Sequence, residues 1–193
     1  MLEHYIKVMR SVVYLMNTSL DGFVEGPDGK FDWTTPDEEV FRFHIDVARD
    51  MSAFLYGRRI YETMAAWQTM EGDLTLPEPM REYARIWKSK PKIVFSTTLR
   101  NVGPGCTLAQ GDVTAEVAAL KRQPGGPMGV CGPGLASAFA RQDLIDEYWL
   151  VVYPIVVGSG KTYFPGLDHE VRLRLLETRT FSGGEVYLRY ARA

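Results

Sequence analysis

Up to residue 153 the chain alternates short apolar runs with amphipathic stretches, and beyond residue 170 it holds only strand-like segments. Residues 12–16, 53–56, 92–96 and 128–131 are too short for helices and largely apolar on both faces. Such runs read as strands buried inside a sheet. Residues 107–110 make a weaker strand and residues 147–153 a sixth. Between the first two strands, Thr35-Pro36-Asp37-Glu38 announces a helix, with Thr35 as cap, Pro36 in the first turn and Glu38 completing a capping box. Val40, Phe43, Val47 and Met51 then recur at helical spacing. Further helices are expected over residues 58–67 and 80–88, from the cap Asp112 through Arg122, and over residues 135–141. Residues 171–180 and 185–191, joined by Phe181-Ser182-Gly183-Gly184, carry a hairpin signal. The order predicts an α/β fold, a mainly parallel, twisted sheet with helices on both faces and an antiparallel C-terminal hairpin. Ligands of such sheets bind outside the carboxyl ends of the strands.

With 193 residues and no linker or repeat, a single domain over residues 1–193 is expected, large enough for a substantial core. The net charge of −2 and the absence of a basic run give no support to a nucleic-acid surface. The longest apolar run, residues 148–157, contains Pro154 and is about half of the ~20 residues a membrane span needs. Only two cysteines occur, Cys106 and Cys131, outside any C-x-x-C pair, and the three histidines are scattered. Neither a metal site nor a disulfide framework is expected. Free thiols, and a start that offers no signal-peptide core, point to a cytoplasmic protein.

Two strand-to-helix junctions carry the functional signal. At Tyr56-Gly57-Arg58-Arg59 and at Cys131-Gly132-Pro133-Gly134, an apolar run ends at glycine and a helix-competent stretch follows. Glycine lets the chain turn tightly and a ligand come close, and a helix start suits phosphate. Two such places in one domain fit a dinucleotide, and Arg58 and Arg59 add cations for a further phosphate. The run Gly132-x-Gly134-x-x-Ser137 departs from a dinucleotide fingerprint at its third glycine. The segment Gly158-Ser159-Gly160-Lys161-Thr162 imitates the end of a P-loop, but Ile155 stands where that motif needs glycine. That segment reads as a turn, with Lys161 open between anion binding and a solvated position. Asp21, beside Gly22 at a strand end, is either a turn residue or a group that orients substrate or relays a proton. Asp37 is equally a first-turn acid favoured by the helix dipole. Trp33, Trp67 and Trp149 are taken as core or rim packing. No nucleophile–base pair or metal motif is visible, which leaves cofactor chemistry.

Four segments, Ser19-Leu20-Asp21-Gly22, Gly57-Arg58-Arg59-Ile60-Tyr61-Glu62, Gly132-Pro133-Gly134 and Asp146 to Leu150 with Pro154 and Gly158-Ser159-Gly160, occur in an order that resembles the dihydrofolate reductase-like family. The nearer resemblance is to its riboflavin-biosynthesis reductase branch, the C-terminal half of the bifunctional deaminase-reductase. The resemblance implies a three-layer α/β reductase that uses NADPH. It places Gly57, Arg58 and Arg59 in the phosphate groove, with Arg58, Ser96 and Thr97 near the 2′-phosphate. Gly132, Pro133, Gly134 and Leu135 would approach the pyrophosphate and nicotinamide. Asp21 and Asp37 would be the catalytic carboxylates, and Asn17, Ser19 and Trp33 would meet a small-molecule substrate lying between residues 19–34 and the helix that follows. Pro133 interrupts the usual run of glycines and removes one N–H donor. The deaminase motif, H-x-E with P-C-x-x-C, is absent. A dihydrofolate reductase proper, anchored on Asp37, and a non-catalytic nucleotide-binding protein are the alternatives. The strand-only C-terminus would leave an edge that a homodimer covers.

Overall fold

A computed structural model describes residues 9–164, 166–167 and 169–193. Its eight-stranded sheet runs in the order β5-β4-β3-β6-β1-β7-β10-β9. These strands are β1 (Val12–Ser19), β3 (Ala53–Gly57), β4 (Lys92–Phe95), β5 (Cys106–Ala109), β6 (Met128–Cys131), β7 (Glu147–Tyr153), β9 (Leu173–Thr180) and β10 (Val186–Arg192). From β5 to β7 all neighbours are parallel, and the C-terminal hairpin adds the two antiparallel strands. The mainly parallel sheet with an antiparallel hairpin is therefore observed as the sequence predicts.

Alternation along the strands divides the core in two. Val12 and Tyr14 of β1 face α5 (Val113–Lys121) and α6 (Pro133–Ala140), packing with Val117 and Phe139. Val13 of β1 and Trp149, Val151 and Tyr153 of β7 face the other way, against Val40 and Val47 of α1 (Glu38–Asp50) and Trp87 of α4 (Glu78–Ser89). No helix among the described residues is long and apolar enough to cross a membrane.

Several local expectations are corrected. The first strand continues past Met16 to Ser19. The helix after it is capped by Asp37, whose Oδ1 accepts the Val40 N–H at 2.8 Å, and not by Thr35. Thr35 precedes Pro36 and is held extended, while its hydroxyl donates to the Asp32 carbonyl of a single 3-10 turn, Asp32–Thr34. The helix expected over residues 58–67 is two pieces, α2 (Arg58–Met64) and α3 (Trp67–Met70), separated where Gln68 and Thr69 bond three residues back to Ala65 and Ala66. The loop after β1 contains a short strand, β2 (Phe23–Glu25), paired antiparallel with β8 (Lys161–Thr162). The P-loop-like segment thus ends as an edge of this small second sheet. Gly160 makes the pairing possible, since a Cβ there would lie 2.0 Å from the Glu25 carbonyl oxygen. Just beyond, the buried Tyr163 stacks on Tyr14 at 4.2 Å and donates to its carbonyl at 2.9 Å, pinning the segment to the main sheet.

Candidate functional site

Strands β3, β4 and β6 are parallel, so their carboxyl ends emerge on one side of the sheet. A cleft of about 370 Å³ opens there, and Gly57, Arg58, Arg59, Gly132, Pro133, Gly134 and Leu135 all line it. The volume lies within the range of small-molecule and cofactor sites. Two segments 75 positions apart in sequence are therefore brought to one wall, from Gly57 to Gly132.

Each glycine at the second junction has a distinct physical reason. Gly132 sits at φ +91°, and a Cβ there would come 2.3 Å from Cγ1 of Ile60. Only glycine fits both the backbone and the space. Gly134 has no atom within 4 Å of where its Cβ would be, so it faces open cleft. Pro133 is the first residue of α6, where its missing N–H would have had no intrahelical acceptor. The loss expected from Pro133 therefore falls at a position where the helix makes no bond. The first-turn N–H groups of Gly134 and Leu135 remain available to a ligand.

The charged groups of the cleft are paired. Arg58 donates to Glu62 at 2.8 Å and to the Thr98 hydroxyl at 3.2 Å. Ser96 Oγ lies 3.3 Å from that hydroxyl and accepts the N–H groups of Thr98 and Leu99. The hydroxyl that joins Arg58 and Ser96 is thus Thr98, next to the expected Thr97, which is exposed. Arg59 forks onto Glu25, with contacts of 3.1 and 3.0 Å, and Lys161 reaches the same carboxylate at 3.2 Å. Glu25 and Lys161 line the cleft with them. Glu25 escaped the sequence reading because nothing in a loop marks a residue that gains its place only by pairing β2 with β8. Cys131 also lines the cleft, and burial pushes its thiol up to about 12, which keeps it protonated at neutral pH.

The remaining expected residues lie elsewhere. Ser19, 1% exposed, donates to Asp21 at 2.6 Å and accepts the Phe23 N–H at 2.9 Å, so its hydroxyl is engaged within the turn. Asp21 also accepts the N–H groups of Val157 at 3.1 Å and Gly158 at 2.7 Å. The Ser19 hydroxyl, followed by these backbone donors, holds its carboxyl down at about 2. Asp21 is ionised at neutral pH and ties the turn after β1 to the loop after β7.

Asn17 lies on the α1 side of the sheet, level with Val151 of β7. Trp33 packs on the same side, edge-on to Tyr153 with ring centres 6.2 Å apart. Asn17 Oδ1 and Trp33 Nε1 are both buried without a hydrogen-bond partner. Such orphaned atoms are uncommon and costly, which makes these two residues candidates to meet a bound molecule. Asp37 is not in the cleft. It borders a separate surface depression with Glu39, Arg42, Arg179 and Ser182. There Glu39 accepts from the Ser182 N–H, Arg179 and the Ser182 hydroxyl, which hold its carboxyl at about 2.

Similarity to known proteins follows the same outline. The Bacillus subtilis (strain 168) protein YyaP, itself uncharacterized, is 30% identical over 182 residues, covering 94% of each chain. A deaminase/5-amino-6-(5-phosphoribosylamino)uracil reductase of Thermotoga maritima superposes with a TM-score of 0.66 at 16% identity, over 96% of this chain and 57% of that one. The Enterococcus faecalis dihydrofolate reductase, solved with NADP(H), superposes with a TM-score of 0.63 at 16% identity, over 94% of this chain and 96% of that one. At these identities the two structures establish a shared fold. The RibD C-terminal domain matches residues 10–187, from just before β1 into β10, and the chain belongs to that family.

Proposed function

We propose that the chain is an NADPH-dependent reductase acting on a small heterocyclic or carbonyl substrate, on the pattern of the 5-amino-6-(5-phosphoribosylamino)uracil reductase of Thermotoga maritima. The observation that carries this reading is the convergence of both glycine junctions with Arg58, Arg59 and Lys161 on one cleft at the strand ends. Glu25, a carboxylate bridged between two of those cations, stands where an anionic ligand fits. The residues therefore suit a cofactor that carries phosphates at two places. When bound, NADPH would supply the hydride.

The chain's own residues supply binding and orientation. Arg58, Ser96 and Thr98 form the polar corner suited to a monophosphate, with Arg58 as the cation. Arg59, Lys161 and the first-turn N–H groups of α6 suit a diphosphate. The open face over Gly134 admits the cofactor backbone. Asn17 and Trp33 would offer an acceptor and a donor to the substrate. Asp21, ionised, would act by holding the Val157-Gly158 loop and not by giving up a proton. The protein would work in the cytoplasm as a homodimer, a reading supported by its free thiols and by the edge strand β9, whose Leu175 and Leu176 are exposed.

A dihydrofolate reductase anchored on Asp37 would need that carboxylate to meet substrate, whereas here it caps α1 through the Val40 N–H. The non-catalytic reading loses its main argument, since Pro133 occupies the helix position that tolerates it. Titration of NADPH into nucleotide-free protein, followed by nicotinamide fluorescence and calorimetry, should show saturable binding. Its oxidation should then be screened with ribosylaminopyrimidine, dihydropterin and simple carbonyl compounds. Absence of NADPH binding overturns the proposal.

A further inference from the structure

We propose that Glu25 is an internal stand-in for a phosphate, and that Arg59 and Lys161 close on the ligand's phosphate once Glu25 has rotated away. The inference rests on the cofactor reading above and assigns to β2 and β8 a role at that site. Glu25 presents both carboxylate oxygens to Arg59, at 3.1 and 3.0 Å, and one of them also to Lys161 at 3.2 Å. A guanidinium fork and an ammonium around one pair of oxygens is the arrangement that binds phosphate. The Glu25 side chain is 14% exposed, while those of Arg59 and Lys161 are 63% and 43% exposed. The acid is thus tucked beneath cations that reach out into the cleft.

The surrounding backbone decides how the exchange takes place. Glu25 pairs with Lys161 across β2 and β8, and the missing Cβ of Gly160 lets the two backbones touch. Tyr163 fixes the far side of β8 to β1 through the Tyr14 carbonyl. The main chain at Glu25 is therefore held, and release is a side-chain rotation and not a loop opening. Arg59 and Lys161 are exposed enough for solvent to compete for them, so a ligand group of higher charge displaces the carboxylate. A ligand that brings no anion to this place gains nothing from displacing it. Glu25 then raises the threshold for unphosphorylated molecules while keeping Arg59 and Lys161 oriented.

Calorimetry with inorganic pyrophosphate, adenosine 2′-monophosphate and NADPH, on wild type, Glu25→Gln and Lys161→Gln, tests the proposal. Glu25→Gln should bind pyrophosphate and NADPH about tenfold more tightly, the equivalent of about 1.4 kcal/mol. Lys161→Gln should bind both about tenfold more weakly. An effect confined to pyrophosphate and NADPH places the exchange at the diphosphate, and one shared by the 2′-monophosphate places it at the Arg58 end. Glu25→Gln that melts like wild type yet binds pyrophosphate no more tightly, or more weakly, makes Glu25 a strut and overturns the inference. Should that variant fail to fold, unchanged pyrophosphate binding by Lys161→Gln overturns it instead. Tighter pyrophosphate binding by Glu25→Gln with no NADPH binding by any form would sink the cofactor reading and leave the phosphate exchange standing.

Discussion

The carboxylate of Asp21 lies 2.7 Å from the amide nitrogen of Gly158, so the turn that leaves the first strand is fastened to the loop that leaves the seventh. In this bond Asp21 serves as an acceptor. With its carboxyl held at about 2, Asp21 contributes to stability above the ordinary aspartate range, and that contribution disappears as pH falls through about 2. Asp21→Asn should lower substrate turnover by loosening the loop while leaving the shape of the pH–rate profile between pH 5 and 8, roughly the working range of most folds, unchanged. A missing acid or base limb in the Asp21→Asn profile would show that Asp21 transfers protons after all.

Gly132 and Gly134 should separate folding from binding. Gly132→Ala puts a Cβ at φ +91° and 2.3 Å from Ile60. It should cost about 2–4 kcal/mol and lower Tm by roughly 5–15 °C. Gly134→Ala meets no atom within 4 Å. It should leave stability unchanged or raise it by up to about 1 kcal/mol, because alanine favours helix. If the cleft takes a cofactor, the same change should still weaken NADPH binding. Calorimetric melts beside NADPH titrations of both variants measure the separation.

His44 gives a second, distinct response to acid. Burial of its ring lowers its pKa from 6.5 to about 4, and Nε2 is enclosed without a partner. The folded chain therefore keeps a neutral imidazole where the unfolded chain takes up a proton. Stability should be full above 6.5 and fall as the pH drops from there to about 4, by no more than about 3 kcal/mol. Urea melts of His44→Gln should lose that slope, whereas Asp21→Asn should retain it. A wild-type stability flat across this window contradicts the assignment.

The outer strand β9 is exposed along nearly its whole length and presents Leu175 and Leu176. An unpaired edge with leucines at its centre is the surface a second copy would cover. Light scattering should give a particle of twice the 21.8 kDa chain mass. Leu176→Lys should return it to the mass of one chain.

What could be read directly from the sequence was whatever repeats or interrupts a pattern. The buried strands announce themselves because parallel strands covered on both faces must be apolar throughout. The two junctions stand out because glycine ends each run. Capping was legible only in part: the sequence points to Thr35 as the cap and Asp37 as a first-turn acid, but the cap is Asp37, because Thr35 is held by Pro36 and the Asp32 carbonyl. The pair β2 and β8 left no trace, since strands of three and two residues have no periodicity. Glu25 was hidden with them. Thr98 was missed by one position because a strand end does not fix which hydroxyl turns toward Arg58.

The place of β1 in the sheet also governs when the molecule is able to form. Val12 is level with Met128 on one side, and Val13 with Glu147 on the other. Strand β1 thus leaves the ribosome well before either of its neighbours, and contacts this distant in sequence slow folding. Until Glu147 has been synthesised, the nascent chain carries its innermost strand with at least one edge bare. Its biogenesis therefore rests on keeping that hydrophobic segment from pairing with another chain before its own later strands arrive.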